Sequence, residues 1–432
     1  MIFTYLRDTR INVFARFRMA SAILALVLFC LCLSDKVYAR DVRFDIQGIK
    51  GDLRDNVENY LESLPSFRAD RLAYRHDQII AAVTKGMQSM GYYSAKIELL
   101  PDETDRDTLI VRILADKPVI IRKFKLTLQG DALNDRAFDR LIKKIPLKEG
   151  EVLHHGKYED IKTSLRNRAL ARGYFDAEMV TSRIRVYPKE YAADIEIHFS
   201  TGHRYKFGEI RIEGISQSER LIRPLLTFKS GDPYASNRLA TFSQSLSETR
   251  YFRQVDVHPL LKEAKNYTVP IYVGLAPKSD NLVEVGLGFA TDEGIRTQLN
   301  WEKPWLNEYG HSMNAQFKIS AIQQKINFNY RIPRKDPIND YYNLQAGYEN
   351  TELNDTKSKL SQVGVHYWTK KLGDWQRDYF VRLEYEDFIQ GNTTGNTLLL
   401  IPGVSLNRLR VDRNIDSEWG DRMLLTSEFS EP

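Results

Sequence analysis

The chain has 432 residues, a formal net charge of +5 at pH 7 and two cysteines, Cys30 and Cys32. Its length allows several domains, and the near balance of basic and acidic side chains gives no reason to expect nucleic acid as a partner. Because both cysteines lie near the N-terminus, residues 40 to 432 have no thiol. Disulfides and thiolate metal sites are therefore excluded from that part of the chain.

The first 39 residues have the pattern of a secretory signal peptide. A basic stretch from Arg7 to Arg18 precedes an apolar run from Met19 to Leu33, and the small residue Ala39 ends the segment. About 15 apolar residues are fewer than the roughly 20 that a membrane-spanning helix needs, so a membrane anchor is the weaker alternative. We predict cleavage between Ala39 and Arg40.

A segment of about 80 residues then occurs three times. In each copy a strand-like run ends in glycine, and an aromatic residue follows the longer of two helical patterns. We expect the aromatic side chains to pack beneath a sheet and the glycines to form turns or helix ends. The signature positions are Gly48, Gly91, Tyr92, Gly130, Gly173, Tyr174, Gly214, Tyr251 and Phe252.

Hydrophobic periodicity predicts strand, helix, helix, strand, strand in every copy. In the first copy these elements are 42–46, 56–63, 77–90, 95–99 and 108–114. In the second they are 121–128, 134–144, 156–171, 176–186 and 191–199. In the third they are 206–213, 217–226, 235–249, 252–258 and 268–275. A helix pair over a three-stranded mixed sheet leaves edge strands that pair with an extended polypeptide, unless neighbouring copies cover them.

From about residue 281 the repeat gives way to short segments in which polar and apolar residues alternate. Strands are predicted at 282–290, 295–303, 310–320, 325–332, 341–351, 359–370, 376–389 and 396–409, with a ninth from about 422. This pattern is typical of an outer-membrane barrel, in which lipid covers the apolar face. All five tryptophans lie in this region, as expected for an aromatic girdle: Trp301, Trp305, Trp368, Trp375 and Trp419. A soluble sandwich is the alternative, and it would need a second sheet layer.

The combination resembles the outer-membrane assembly proteins in which POTRA (polypeptide-transport-associated) modules precede a 16-stranded barrel. Val283 to Phe289 is similar to the first barrel strand of this family, and Asn300 to Asn307 lies where these proteins turn into the second hairpin. Three modules resemble the outer-membrane subunit of the translocation and assembly module, since two-partner secretion transporters have two and the central barrel-assembly protein has five. The family's Val-Arg-Gly-aromatic signature and closing strands are absent, so we expect a C-terminally truncated barrel with about eight to nine of 16 strands.

The expected architecture is therefore α+β repeats, namely three POTRA modules of β-α-α-β-β order, followed by an antiparallel transmembrane β-barrel. The predicted domains are a signal peptide at 1–39, POTRA modules at 40–115, 116–200 and 201–276, and the N-terminal part of the barrel at 277–432. The resemblance implies the outer membrane of a Gram-negative bacterium, with the modules in the periplasm.

The function implied by the resemblance is insertion of β-barrel proteins such as autotransporters into the outer membrane. The implied partners are client outer-membrane proteins, outer-membrane lipid and a TamB-like subunit that is anchored in the inner membrane and spans the periplasm. Clients would enter through a lateral gate at the first barrel strand. The gate residues would be Val283, Val285, Gly286, Leu287, Gly288 and Phe289.

Catalysis is not expected, and neither is a cofactor or a metal. The sequence has no Gly-x-Ser-x-Gly elbow, no His-Glu-x-x-His motif and no phosphate-binding loop. The pair His154-His155 has no carboxylate cluster to complete a metal site and is predicted to lie on the surface. Two further functions stay open from the sequence: a secretion pore for one dedicated partner, and a soluble periplasmic scaffold.

Overall fold

The structure is a computed structural model that describes residues 42–67, 72–105, 107–214, 219–291, 293–370, 374–411 and 419–430. The predicted cleavage site at Ala39 and Arg40 lies outside these residues. The chain divides into two compact units: one extends to Leu126 and includes Lys144–Lys162 and Thr181–Ile197, and the other contains the remaining residues. Among the described residues, no helix has the length and apolar character needed to cross a membrane.

The first module has the predicted order of elements. They are β1 Arg43–Gln47, α1 Asp52–Glu62, α2 Leu72–Ser89, β2 Lys96–Pro101 and β3 Thr108–Leu114. Strand β3 is central, parallel to β1 and antiparallel to β2. Ile79, Val83 and Met87 share one face of α2 and are buried in the core. Helix α1 begins earlier than predicted because its first turn contains Asp52 and Asp55, which favour a helix N-terminus but carry no hydrophobic periodicity.

The second and third modules repeat this topology. The second contains β4 Ile120–Gln129, α3 Arg136–Ile142, α4 His155–Arg172, β5 Glu178–Tyr187 and β6 Ala192–Ser200, in sheet order β4-β6-β5. The third contains β7 Lys206–Glu213, α5 Glu219–Ile222, α6 Ser236–Glu248, β8 Phe252–Pro259 and β9 Thr268–Pro277, in order β7-β9-β8. The predicted helix 217–226 is too long, since Pro224 cannot continue an α-helix and the chain continues as a 3₁₀ turn, Arg223–Leu225.

The C-terminal region forms one sheet of nine antiparallel strands in sequential order. Its strands are β10 Leu282–Ala290, β11 Gly294–Lys303, β12 Ser312–Ser320, β13 Gln323–Pro333, β14 Asp340–Leu353, β15 Thr356–Thr369, β16 Trp375–Gln390, β17 Thr393–Val411 and β18 Gly420–Glu428. The fold class predicted from the sequence is confirmed, and the sandwich alternative is wrong because the described strands form a single layer.

Two of the predicted loops, 352–358 and 390–395, are mostly strand. The hairpins there close in two-residue turns, Asn354-Asp355 and Gly391-Asn392, in which Asn354 and Gly391 have φ of 53° and 57°. Tight hairpins of this kind favour Asn and Gly because the backbone requires positive φ. The strands extend past the region of alternating hydropathy, so the strand ends predicted from that pattern were too far from the turns.

The strand register sorts side chains into two faces. One row of directly paired residues is entirely apolar: Val283, Trp301, Ala315, Phe328, Ala346, Val363, Leu383 and Leu400. The adjacent row is mainly polar: Glu284, Asn300, Gln316, Asn327, Gly347, Gln362, Glu384 and Leu399. We call the face with the apolar row the outer face and the opposite one the inner face. This alternation is the one expected when lipid surrounds a barrel.

Candidate functional sites at the module joints and the first barrel strand

The glycines that end the first strand of each module all have a positive φ. Gly48, Gly130 and Gly214 have φ of 93°, 93° and 107°. A Cβ on Gly48 or Gly214 would clash with the carbonyl oxygen of the central strand, at Ile113 or Leu275. The signature therefore marks a close approach of two backbone segments, which only glycine allows.

The turn after each long helix is also shared by the three modules. Gly91, Gly173 and Arg250 all have positive φ, at 91°, 83° and 64°. The sequence pattern identified the two glycines but missed Arg250, which takes the same conformation without the same residue type. Its place just before the third aromatic residue was the signal that could have found it.

This turn is where a module connects to the next part of the chain. The carbonyl oxygen of Gly91 accepts a hydrogen bond from the N–H of Val119, and that of Gly173 accepts one from the N–H of Tyr205, each at 2.8 Å. A Cβ on Gly173 would lie 2.6 Å from the Cβ of Tyr234. The glycines of the signature thus mark module joints. Its aromatic residues mark the cores, since Tyr174, Tyr251 and Phe252 are buried and Tyr92 packs against the core of the first module.

The pair His154-His155 lies at the first of these joints and is not simply a surface pair. His155 is half-buried, and its Nε2 lies 2.6 Å from the hydroxyl of Tyr93. Burial lowers the pKa of His155, and the neighbouring His154 lowers it further. His154 Nδ1 accepts the N–H of Lys157 at the start of α4. Among the described residues, no cluster of His, Cys, Asp and Glu could hold a metal ion.

A buried carboxylate organises the joint before the third module. Asp135 accepts hydrogen bonds from Arg172 Nε and Nη2 at 2.9 and 3.0 Å, from the Tyr174 hydroxyl at 3.2 Å and from the Ala137 N–H at 3.0 Å. Arg204 Nη1 lies 3.7 Å from the same carboxylate. Burial alone would raise the pKa of Asp135, but the hydrogen bonds from Arg172 and Ala137 and the nearby positive charges hold it below its ordinary value.

Arg204 connects this carboxylate to the third module. Its Nε donates to the carbonyl oxygen of Arg172 at 2.9 Å, and its Nη2 donates to that of Tyr234 at 3.1 Å. Burial lowers the pKa of Arg204, and the charge of Arg172 lowers it further. The planar guanidinium therefore bridges the end of α4 and the segment that leads into α6. A single arginine in a polar linker gave no signal of this role in the sequence.

The third module packs against the turn between β11 and β12 of the barrel sheet. The hydroxyl of Tyr251 donates to the carbonyl oxygen of Gly310 at 2.8 Å. The Trp305 ring centroid lies 5.5 Å from that of Tyr251 and 6.0 Å from that of Phe252. Trp305 and Ile338, which come from two turns of the sheet, join the core of the third module. Burial raises the pKa of Tyr251 to about 12, so the hydroxyl remains a donor at neutral pH.

Among the described strands, the first barrel strand lies at an edge of the sheet and pairs with β11. Its outer face is apolar and exposed: Val283, Val285, Leu287 and Phe289 are 61%, 68%, 80% and 73% exposed. Gly286 and Gly288 lie on the inner face. A Cβ on Gly286 would meet its nearest atom only at 3.9 Å, so this position is open, whereas one on Gly288 would lie 3.0 Å from Arg296 Nε. The strand therefore has backbone polar groups along one edge and few side chains on its inner face.

Comparisons with known proteins agree with this architecture. The family model described as "POTRA domain TamA domain 1" matches residues 43–115, and the POTRA model described as "Surface antigen variable number repeat" matches residues 125–202 and 205–278. Together these segments cover just over half of the chain. BamA of Neisseria meningitidis serogroup B (strain ATCC BAA-335 / MC58), an outer membrane protein assembly factor, is 21% identical over 279 residues, which are 63% of this chain and 34% of that protein.

A solved BamA structure has the same fold. The crystal structure of BamA from Haemophilus ducreyi lacking POTRA domains 1-3 superposes with a TM-score of 0.55 at 12% identity, over 72% of this chain and 64% of that one. CdiB from Acinetobacter baumannii gives a TM-score of 0.35 at 12% identity, over 89% of this chain and 72% of that one. The chain spans about one third of the Neisseria protein and just under two thirds of the solved BamA chain.

Three matched POTRA segments precede a barrel sheet whose fold is that of a solved BamA. The modules have the β-α-α-β-β order, and the sheet has the two-faced register of a membrane barrel. The chain therefore belongs to the superfamily of outer-membrane β-barrel proteins that carry POTRA modules.

Proposed function

We propose that this protein inserts β-barrel proteins, including autotransporters, into the outer membrane of a Gram-negative bacterium, and that it does so without catalysis of a chemical reaction. The observation that carries the proposal is the edge strand β10. Within the described sheet β10 has β11 as its one neighbour and an exposed apolar face, so an incoming strand that adds at its other edge would gain backbone hydrogen bonds while its apolar side chains enter lipid.

Client strands would first meet the modules. In each module the order of the three strands leaves two edges, and the strand that follows the second helix forms one of them: β2, β5 and β8. Strand β5 has ten residues, with Val180 half exposed. A strand of this length can bind an extended polypeptide by adding it to the sheet, with main-chain hydrogen bonds supplying affinity and little dependence on sequence.

The joint at Tyr251 supplies a path from the modules to the gate. Trp305 follows β11 by two residues, and β11 is the sole partner of β10 within the described sheet. A change in the orientation of the third module would therefore act on the hairpin that contains the gate strand. The match of the first module to a TamA-type POTRA model supports the narrower proposal that a TamB-like subunit, anchored in the inner membrane, is the partner.

Site-specific crosslinking tests whether clients pair with β10. After signal cleavage the chain is expected to be free of thiols, so a single cysteine can be placed by V285C. The matched control is Y348C, since Val285, Leu299, Phe317, Ile326 and Tyr348 form one register row and β14 is paired on both sides. A client barrel with a cysteine in an edge strand should form a disulfide with V285C during insertion and not with Y348C.

Equal crosslinking at both positions would contradict insertion at this edge, because both cysteines face lipid at the same depth and, of the two, V285C lies on an edge strand of the described sheet. Absence of crosslinking to V285C during efficient client insertion would assign the assembly role to the modules alone.

A further inference from the structure

Three tyrosines form a row on the outer face of the barrel sheet. Tyr342 of β14, Tyr367 of β15 and Tyr379 of β16 are direct register partners, and successive ring centroids lie 5.1 and 6.3 Å apart. The row lies toward the module side, since the turn before β14 contributes Ile338 to the core of the third module. Tyr342 and Tyr379 are 39% and 43% exposed. Tyrosine is favoured at such a depth because its ring and hydroxyl suit the boundary between lipid and water.

An apolar groove continues from the tyrosines away from the modules. It has a volume of about 520 Å³ and is lined in part by Val365, Val381 and Val404. Val365 and Val381 are half exposed on the outer face, one register step beyond Tyr367 and Tyr379. A groove of this kind on a lipid-facing surface would be filled by hydrocarbon, because hydration of apolar surface is unfavourable.

A cation is held in place at the module-side end of the groove. The Arg334 guanidinium lies 5.7 and 5.5 Å from the ring centroids of Tyr342 and Tyr367. Its Nη1 donates to the Tyr367 hydroxyl at 2.9 Å, and this hydroxyl donates to the buried carboxylate of Asp340 at 3.1 Å. Asp340 therefore fixes the guanidinium through the tyrosine. Asp340 Oδ1 also lies 3.6 Å from Arg334 Nη1, so the two side chains form an ion pair as well. Both contacts use Nη1 of a guanidinium that has five N–H donors, and the side chain remains 43% exposed.

Further positive charge surrounds the same end. Lys335 follows Arg334 in the exposed turn. The backbone of Lys370, an exposed residue, adjoins the same turn, since its N–H donates to the Asn339 carbonyl oxygen at 2.9 Å. The carboxylate of Asp336 is occupied by backbone N–H groups of its own turn. The three basic residues at this end exceed the two acidic ones, Asp336 and Asp340, by one positive charge, so an anion there would be stabilised by charge as well as by hydrogen bonds.

We propose that this groove, which we call the tyrosine groove, binds an anionic glycerophospholipid from the module-side leaflet. Its phosphate would lie against Arg334 and Lys370, and one acyl chain would lie along Val365 and Val381. The charge at the mouth and the apolar surface beside it require a ligand that is anionic at one end and hydrocarbon at the other. A soluble phosphate would leave the groove unfilled, and a zwitterionic lipid would not use the positive charge.

Native mass spectrometry of the full-length protein in non-ionic detergent tests this assignment. The protein is incubated separately with phosphatidylglycerol, phosphatidylcholine and lipid A, each at the same molar ratio. We expect phosphatidylglycerol to be retained with roughly tenfold higher affinity than phosphatidylcholine, since each cation near a lipid headgroup contributes appreciably to binding. The double variant R334Q/K370Q should lose this preference.

The matched control is K357Q/K359Q, which removes the same charge from exposed positions at the far end of β15. It should retain the preference. V381W tests the groove with the cations intact, and it should lower phosphatidylglycerol retention. Preserved electrophoretic heat-modifiability shows that each variant is folded. Three results would each overturn the proposal. They are loss of the phosphatidylglycerol preference in K357Q/K359Q to the same extent as in R334Q/K370Q, undiminished phosphatidylglycerol retention by V381W, and retention of lipid A equal to that of phosphatidylglycerol.

Discussion

Substitution of Asp135 tests the reasoning about the module joints most directly. The side chain is buried and accepts four hydrogen bonds, two of them from the charged Arg172. Asp135→Ala removes the cap of helix α3, which is worth about 1 kcal/mol. It also leaves the guanidinium of Arg172 and the hydroxyl of Tyr174 without their acceptor, at a cost of about 2 kcal/mol after allowance for the partial exposure of Arg172. We expect a total loss of about 3 kcal/mol.

The assay is urea unfolding of residues 40–276, followed by circular dichroism. Asp135→Asn keeps an acceptor for the cap and should cost about half as much. The control is Asp139→Ala, an exposed acid on the same helix, which should change the free energy of unfolding by less than about 0.5 kcal/mol. If Asp135→Ala changes it by no more than this control, the carboxylate does not hold the joint.

The pH dependence gives a second readout. Because the pKa of Asp135 is lowered in the folded protein, its contribution is fully present above the unfolded value of about 3.8 and is lost as the pH falls through the folded value. The difference between the wild type and Asp135→Ala should therefore be constant from pH 5 to 8 and narrow below about pH 4. A difference that persists unchanged at pH 2 would show that packing, and not charge, is responsible.

Three further predictions follow from the joints and the N-terminus. Tyr251→Phe leaves the buried carbonyl oxygen of Gly310 without its donor, so amide hydrogen exchange in the turn 304–311 should accelerate roughly tenfold, whereas Tyr309→Phe in the same turn should not change it. The lowered pKa of His155 means that folding favours its neutral form. The first joint should therefore have its full stability above about pH 6.5 and lose stability as the pH drops below that value. In urea titrations at about pH 7.5 and 5, His155→Gln should abolish this dependence. N-terminal sequencing of the exported protein should begin at Arg40, and a start at Met1 would contradict the signal assignment.

Local rules determined the elements and their order. The 3.6-residue pattern in α2, the alternation in β12 and the glycines at Gly48 and Gly214 each reflect a physical requirement that lies within a few residues of the chain. Repetition of these patterns predicted three modules, and the strict alternation after residue 281 predicted the barrel sheet. The predicted ends of the elements were less accurate where the residues have no hydrophobic period. The first turn of α1 and the two ends of β17 are examples.

The joints and the tyrosine groove depend on contacts between residues far apart in the chain. Tyr251 meets Gly310, and Arg204 meets Asp135, only because separate strands and helices fix their backbones at the right separation. The row of Tyr342, Tyr367 and Tyr379 exists because the register aligns three strands, and a shift of one residue would turn each ring to the inner face. The sequence by itself therefore determined which modules and strands this protein contains, and the tertiary structure decided which side chains meet between them.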